Sequence, residues 1–450
     1  MLRRPVIVYQ LTRLGARTEY VVQNQNLDTQ PKQYFVVDTY VWRNHWLFDF
    51  FFGLFLDRQF AHADLPAVNG NLIQSLLTVI SSSMLAVSTF SLSTMVAAYS
   101  SASNGVTPRT TKLVMGDDNS RVAIASFIAA FVFSLIAQVT LGLNILGNTG
   151  RFVLLTSTVL MLIYVVFSLI RWIGALSQLG RLGNTMDKLN KVASDSLSYW
   201  RLHPTMQAHA SESMWEDGIS VYAKKCQYVT HIDQEALQLW ANKHHAQIQL
   251  CAVPGVLLSP ERILLKIRGI EALSEADCAY IVDCFVYSIV RVYEQDPRYG
   301  MIVLSEVALR ALSVGVNDPG TSILVFNHML EVLVDAKPSA ELQQKRDEQG
   351  AILYQRLHVM MFDETDLISQ PFAPIIFFAA NDMVLVVRLL KILHKIYVNI
   401  EEAPLAAEAQ AQAQILMRRA QEKLTFTDDW NMVQNLYVQL FDEQPRPQQS

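Results

Sequence analysis

Six polar side chains crowd an otherwise apolar stretch of this 450-residue chain: Arg291, Asp296, Glu306, Arg310, Asn317 and Asp318. Carboxylates and guanidinium groups so close in sequence can move a proton, hold an ion, or tie one chain segment to another. A carboxylate working as a general base needs a nucleophile, a metal or a substrate pocket beside it. The chain contains no G-x-S-x-G, no H-E-x-x-H and no glycine-rich phosphate loop. Local structure explains part of the group. Asp318 followed by Pro319 is a helix start, with the carboxylate as cap and proline in the first turn. Glu306 and Arg310 stand one helical turn apart, a pairing worth roughly a few tenths of a kcal/mol when exposed. The expectation is no catalytic residue, no metal, no cofactor and no enzyme. A structural or subunit-contact network is the first reading of the six, a ligand or ion site the second, and catalysis the third.

A second group consists of hydroxyls. Ser75, Ser82 and Thr89 recur at spacing seven in SLLTVISSSMLAVSTFSLSTMVAAYSS, Ser93 and Ser100 continue near that face, and Ser81 and Ser88 widen it. Hydrocarbon gives hydroxyls no reward, so this face is expected to turn inward. Small residues can let helices approach closely while their hydroxyls bond carbonyls. The same face could instead line a water-filled path. Both readings stay open.

The element bearing these hydroxyls is a membrane span. No Asp, Glu, Lys, Arg or His occurs from Leu65 to Pro108. Over the whole chain 51% of residues are hydrophobic and 17% charged, against about 25% charged in an average soluble protein. That balance excludes a disordered chain and a nucleic-acid coat. A helix crosses the hydrocarbon with roughly 20 apolar residues. Three spans are predicted within 71–176, at about 72–100, 122–144 and 152–175, and no charge lies inside their apolar centres. This argues against a proton relay or a voltage sensor.

Charge placement sets the orientation. Residues 1–175 carry net +4 and residues 176–450 net −9, which does not suit a nucleic-acid partner. Arg109, Lys112 and Arg121 follow the first span, and Arg171, Arg181, Lys188 and Lys191 follow the third. Positive loops stay inside, so these connections and the C-terminal half are expected in the cytoplasm. Residues 1–70 are also basic at their start, which calls for a further crossing. The one candidate, Trp46–Phe60, is interrupted by Asp49, Asp57 and Arg58. It reads as a degenerate span, a re-entrant element or an interfacial helix. No apolar segment follows the basic start, so no cleavable signal is expected.

Residues 177–225 read as a helical stalk, and 226–340 as a cytoplasmic α+β domain. Strands are predicted at 227–232, 247–253 and within 256–268, and helices from Asp233 to His245, from Ser274 to about Gln295, from past Pro297 to Ser313, and from Asp318 onward. Residues 341–450 read as helical, with one helix over 375–400 and a disordered tail PRPQQS. Cys226, Cys251, Cys278 and Cys284 lack zinc spacing and read as buried thiols. His231 reads as a packed histidine and His244-His245 as a solvated helix end. The fold class is thus a membrane protein: an α-helical transmembrane bundle, three clear spans plus one degenerate N-terminal span, with a cytoplasmic α+β domain and a helical C-terminal region.

RVYEQDPRYG followed by LSEVALRALSVGVNDPGTSI resembles the signature of the bacterial predicted membrane proteins grouped as the domain-of-unknown-function 2254 family. The likeness falls on Arg291, Gln295, Asp296, Arg310, Ala311, Leu312, Ser313, Gly315, Asn317, Asp318, Pro319 and Thr321. YVTHIDQEAL at 228–237, the Ser-rich span leading to Pro108-Arg109, and FDETDLISQPFAPI at 362–375 are similar to further family segments, and the order is kept over about 70–440. Val314 stands where the family has proline, Val292 where it has threonine, and PGVLLSPERIL lacks an acidic residue of its hairpin. The resemblance implies a multi-span inner-membrane protein with a cytoplasmic domain and no settled activity.

The function expected is an oligomeric channel or transport-type protein whose Ser/Thr-lined helix is assembled or gated by the cytoplasmic domain. The alternative is a membrane-anchored scaffold or sensor whose cytoplasmic domain binds a ligand or partner. Expected partners are the lipid bilayer, further copies of the chain, and an ion or small ligand of unknown identity.

Overall fold

In a computed structural model the chain is described over residues 66–443, apart from 67, 106, 111–117, 144–145 and 179–181, and at two short antiparallel strands, β1 (Val6–Ile7) and β2 (Val22–Gln23). The Trp46–Phe60 segment and the tail PRPQQS lie outside the described residues. The chain divides into two units, one of residues 1–98 with 117–178 and one of residues 99–116 with 179–450.

The first unit holds three long apolar helices: α1 (Gly70–Gly105, whose last turns belong to the second unit), α2 (Asp118–Gly142) and α3 (Asn148–Gln178). Each is long and apolar enough to cross a membrane. A helix suits that setting because it satisfies every backbone polar group internally. Ala123, Ala130 and Ala137, spaced by seven on α2, are all buried and let neighbours come close. Ile73 and Leu77 of α1 pack near Ala137, while Ile80 and Met84 meet Phe127, Met161 and Val165. Side-chain bonds join the helices, among them one from Gln138 Nε2 to Ser81 Oγ at 3.2 Å and one shared by Ser126 and Tyr164 at 2.8 Å.

The second unit has a sheet region and a helical layer. Among the described residues of the predicted stalk over 177–225, the helical ones are the last two of α3 and α4 (Leu182–Leu202), where Met186, Leu189, Ala193 and Leu197 are buried in the core of the second unit. Beyond Pro204 the chain turns into β3 (Ala208–Ser211) and β4 (Ile219–Tyr222). Then come β5 (Tyr228–Ile232), α5 (Gln234–Lys243), β6 (Gln247–Leu250), β7 (Ile263–Arg268), α6 (Glu275–Asp283) and β8 (Phe285–Ser288). The helix expected from Ser274 to Gln295 stops at Asp283, because Phe285–Ser288 pairs antiparallel with β5. Helices α7 (Pro297–Ala311), α8 (Pro319–Asp335) and α9 (Ala340–Gln349) lead to β9 (Tyr354–Met360), a strand inside the region expected to be helical. The last elements are α10 (Asp366–Ala379), α11 (Met383–Asn399), α12 (Ala403–Lys423) and α13 (Thr427–Tyr437). Asp382, which accepts from the Val384 and Leu385 N–H groups, starts a new helix where one helix was predicted across 375–400.

The five-stranded sheet has the order β3-β9-β6-β7-β4, with β9 parallel to both neighbours and the rest antiparallel. Ile248, Leu250, Leu265, Ile267, Leu357 and Val359 form its apolar face. The helical layer surrounds a separate core of residues from α4, α7, α8, α10, α11 and α12. Long-range bonds fix the helix directions. Arg201, at the end of α4, donates to the Leu333 and Ala336 carbonyls at the end of α8, both at 2.8 Å, and pairs with Glu402, just past α11. Arg388 of α11 reaches Asn327 of α8 at 2.6 Å. Helices α4, α8 and α11 therefore run in one sense. Ser305 of α7 donates to Pro371 O of α10 at 2.6 Å, and these two helices run in the other. Gly300 lets α7 sit against α4, since a Cβ there would meet the Ala193 Cβ at 2.5 Å.

Candidate functional site

Asp296 is the centre of a buried charge cluster. Its carboxylate is 1% exposed and caps α7 by accepting from the Arg298 N–H at 3.3 Å. Arg291 Nε donates to Oδ2 at 2.7 Å, and Arg298 Nε to Oδ1 at 3.3 Å. One buried anion thus lies between two guanidinium groups. The cost of desolvating it is offset only because both of its oxygens are bonded. Arg298 also donates to Pro254 O at 3.3 Å, stands 3.8 Å from the Asp366 carboxylate, and lies 4.6 Å from the Phe362 ring centre. Gly255 has φ +85, and a Cβ on it would meet Asp296 Oδ2 at 2.1 Å. The Pro254-Gly255 turn therefore needs glycine both for its backbone and for the carboxylate packed against it.

The cluster continues along α7. The Arg291 guanidinium lies 5.3 Å from the Tyr299 ring centre, and Tyr299 packs on Tyr293 at 4.7 Å. Burial pushes both phenols above their ordinary range, against the opposing charge of Arg109. Arg109, which follows α1, forms an ion pair with Glu306 of α7. The i,i+4 partner expected for Glu306 was Arg310; the structure gives Glu306 a partner almost two hundred residues away in sequence, and Arg310 stands in the last turn of α7. Asn317 and Asp318 lie at the far end of the helix, exposed in the turn to α8. Asn317 takes φ +47. Asp318 accepts from the Thr321 hydroxyl at 2.6 Å and its N–H at 3.1 Å, which holds its carboxyl below the usual range. Arg291 and Asp296 therefore come together with Arg298, Glu306 pairs with Arg109 further along α7, and Asn317 and Asp318 serve the α7–α8 turn.

The hydroxyl face is arranged differently. Ser75, Ser82, Thr89 and Ser93 are exposed, so this face does not turn toward the other described residues. Ser75, Ser82 and Thr89 donate to the carbonyls of Asn71, Thr78 and Leu85 at 2.9, 2.9 and 3.0 Å. The apolar stripe Ile73, Leu77, Ile80 and Met84 takes the packed side of α1, and the buried hydroxyls are Ser81, Ser88 and Ser91.

One polar layer was not singled out from the sequence. The register of the sheet aligns His209, His358, Gln249, Lys266 and Ser220 across all five strands, on the face opposite the apolar one. A strap over 211–217 covers them. Trp215 N–H donates to Gln249 Oε1 at 2.8 Å, Gln249 Nε2 donates to Ser211 Oγ and Ser213 O, and Lys266 donates to Trp215 O. His358 stacks on His209 and meets Trp215 edge-on, both at 5.1 Å. Burial, then His209 and Arg268, lower its pKa. The available signal was the alternation Gln247, Gln249, Cys251 in and just past β6. Of the four thiols only Cys284 is buried; burial raises its pKa to about 12 and that of half-buried Cys251 to about 11, while Cys226 is exposed. Among the described residues no group of His, Cys, Asp and Glu could hold a metal ion.

Three apolar helices long enough to span, joined to a unit containing a sheet, define a multi-span membrane protein. The profile of a family described as "Predicted membrane protein (DUF2254)" matches residues 45–395, and the chain belongs to that family. The match begins before the expected residue 70, taking in Trp46–Phe60, and ends before 440. No curated protein and no solved structure matches the chain.

Proposed function

We propose that the chain assembles as a homo-oligomer in a bacterial inner membrane and works as a channel or transport-type protein, with its second unit in the cytoplasm. The observation that supports this is the exposed face of Ser75, Ser82, Thr89 and Ser93, bordered by no charged residue. The described residues of one copy leave that face uncovered, and several copies around a shared axis would enclose a path lined by it. The Arg109–Glu306 pair supports a gating role for the second unit, since it ties the end of the hydroxyl-bearing helix to α7. The test is a planar-bilayer recording of the purified full chain, with its oligomeric state measured in nanodiscs. Currents that change with Ser82→Trp and Thr89→Trp are expected. A monomer, or no current across voltage and tension, would overturn the reading.

The second reading is a membrane-anchored sensor. It is favoured by His358 Nε2, a buried ring nitrogen with no hydrogen-bond partner among the described residues, beneath the Trp215 strap. Stoichiometric capture of a ligand or partner that His358→Gln abolishes would favour it over the channel.

A further inference from the structure

The helix directions place several chain turns at one end of the helical layer of the second unit. The α7–α8 turn, the α10–α11 turn, the start of α4 and the end of α12 all lie there, because α4, α8 and α11 run away from this end and α7 and α10 run toward it. Arg419, near the end of α12, confirms the placement by lying 5.2 Å from the ring centre of Phe377 in the last turn of α10. This end carries an unusual set of uncovered apolar side chains. Val314 is fully exposed, and Val316, Phe377, Phe378 and Val384 are 53–59% exposed. Single exposed apolar residues are ordinary; five gathered at one end of a helical layer point to a contact.

Chain connectivity says what covers them. Helix α4 starts at Leu182, and the third apolar helix ends at Gln178. Four Cα steps reach at most about 15 Å. The start of α4 is therefore held close to the point where the third span ends. The first span exits in the same neighbourhood: Arg109 follows α1 and pairs with Glu306, five residues before the end of α7, about 8 Å along the helix axis. Cations accompany the apolar residues. Arg310 is in the last turn of α7, and Arg418, Arg419 and Lys423 are near the end of α12. Carboxylates lie there too: Asp318 and Asp382 are engaged as helix caps, Glu422 adjoins Lys423, and Asp428 and Asp429 open the helix that follows α12. Apolar tips set among charged residues of both signs match the boundary between headgroups and acyl chains.

We propose that this end of the helical layer docks on the bilayer that the spans cross, with Val314, Val316, Phe377, Phe378 and Val384 entering the headgroup–acyl boundary. The inference does not depend on the channel reading. The turn SVGVNDP then has a second role besides starting α8, since Asn317 and Asp318 hold it in the shape that presents Val314 and Val316.

The test places a photoreactive diazirine residue at 314, or at 377, in the full chain in nanodiscs of phosphatidylethanolamine and phosphatidylglycerol. A matching probe at exposed Lys337, at the opposite end of α8, is the control. Both test positions are exposed, so neither replacement disturbs packing. Irradiation should give lipid adducts at 314 and 377 about ten-fold more often than at 337. Adducts no more frequent than at 337 overturn the proposal, as does a covalent dimer formed from 314 or 377 in place of lipid adducts.

Discussion

Asp296 and Thr89 are both polar groups set among apolar neighbours, and they are satisfied in different ways. Asp296 is satisfied by residues brought in from elsewhere: Arg291 and Arg298 bond it, and the turn at Gly255 leaves room for it. Thr89 is satisfied by its own helix, through the Leu85 carbonyl one turn back. A group that closes its bonds on its own helix says little about its surroundings. A group that needs distant partners fixes the positions of all of them. The Asp296 cluster is therefore the part of the molecule that specifies structure, and the hydroxyl face of α1 is the part free to meet something outside one copy.

The contrast is broken most directly at Asp296. Asp296→Asn leaves Arg291 without its anion and Arg298 with only the more distant Asp366 carboxylate, and should destabilise the second unit by about 3 kcal/mol. Gly255→Ala should have an effect of similar size, because a methyl group cannot occupy the space of the carboxylate and alanine resists positive φ. Thermal unfolding of the full chain in nanodiscs, followed by circular dichroism, measures both. A loss below about 1 kcal/mol for each would show that the cluster is solvated and does not specify structure.

Much of this arrangement was legible in the sequence, and the reasons differ by element. The spans were legible because uncharged length is a sufficient signal for them. Asp233, Ser274 and Asp318 announced their helices because a cap is a local device, and each accepts from an N–H three residues on. Strand β9 was missed because Tyr354–Met360 carries polar residues on one face and ends between helices; only pairing with β3 and β6 makes it a strand. Phe285–Ser288 was drawn into a helix because its apolar residues also fit a helical period, and the partner that decides, β5, lies more than fifty residues back. Within the site, Arg291, Asp296 and Glu306 were recognised, but their partners Arg298, Gly255 and Arg109 were not. Pairing across long sequence separations leaves no periodic trace.

The Arg109–Glu306 pair tests whether the connection after α1 is coupled to α7. The pair is partly exposed, 50% and 27% at the two side chains, so Glu306→Gln should cost under about 1 kcal/mol of stability. Its larger effect should be on coupling. Under the channel reading, Glu306→Gln changes opening probability while unitary conductance stays at the wild-type value. A changed unitary conductance with unchanged opening would place Glu306 in the path and not in the link.

A smaller effect, visible as a pH dependence, is expected at the polar layer of the sheet. Burial next to His209 and Arg268 lowers the pKa of His358 in the folded chain below its ordinary value of about 6.5. The unfolded chain then binds the proton more readily, so stability rises with pH across this window. The contribution is fully present above the unfolded value and declines as pH falls from about 6.5 toward the folded value. His358→Gln should flatten the stability of the second unit between pH 7.5 and 5.5, measured as Tm. An unchanged slope would assign the dependence to His231 or His203, whose pKa values burial also lowers.

The smallest effect belongs to the hydroxyl face, and its smallness is the point. Ser82→Ala and Thr89→Ala remove hydroxyls that bond only their own helix in one copy, so stability should change by no more than about 0.5 kcal/mol. Bulk is a different matter. Ser82→Trp leaves the described residues of a single copy undisturbed, because they do not cover that face, but it fills any space shared between copies. Blue-native electrophoresis and unfolding in nanodiscs separate the two possibilities. If the alanine variants are silent and the tryptophan variant changes assembly or current, the face meets other copies or a path between them. If all three behave like the parent, the face meets lipid, and the polar character of α1 reflects only how serine and threonine bond to a helix backbone.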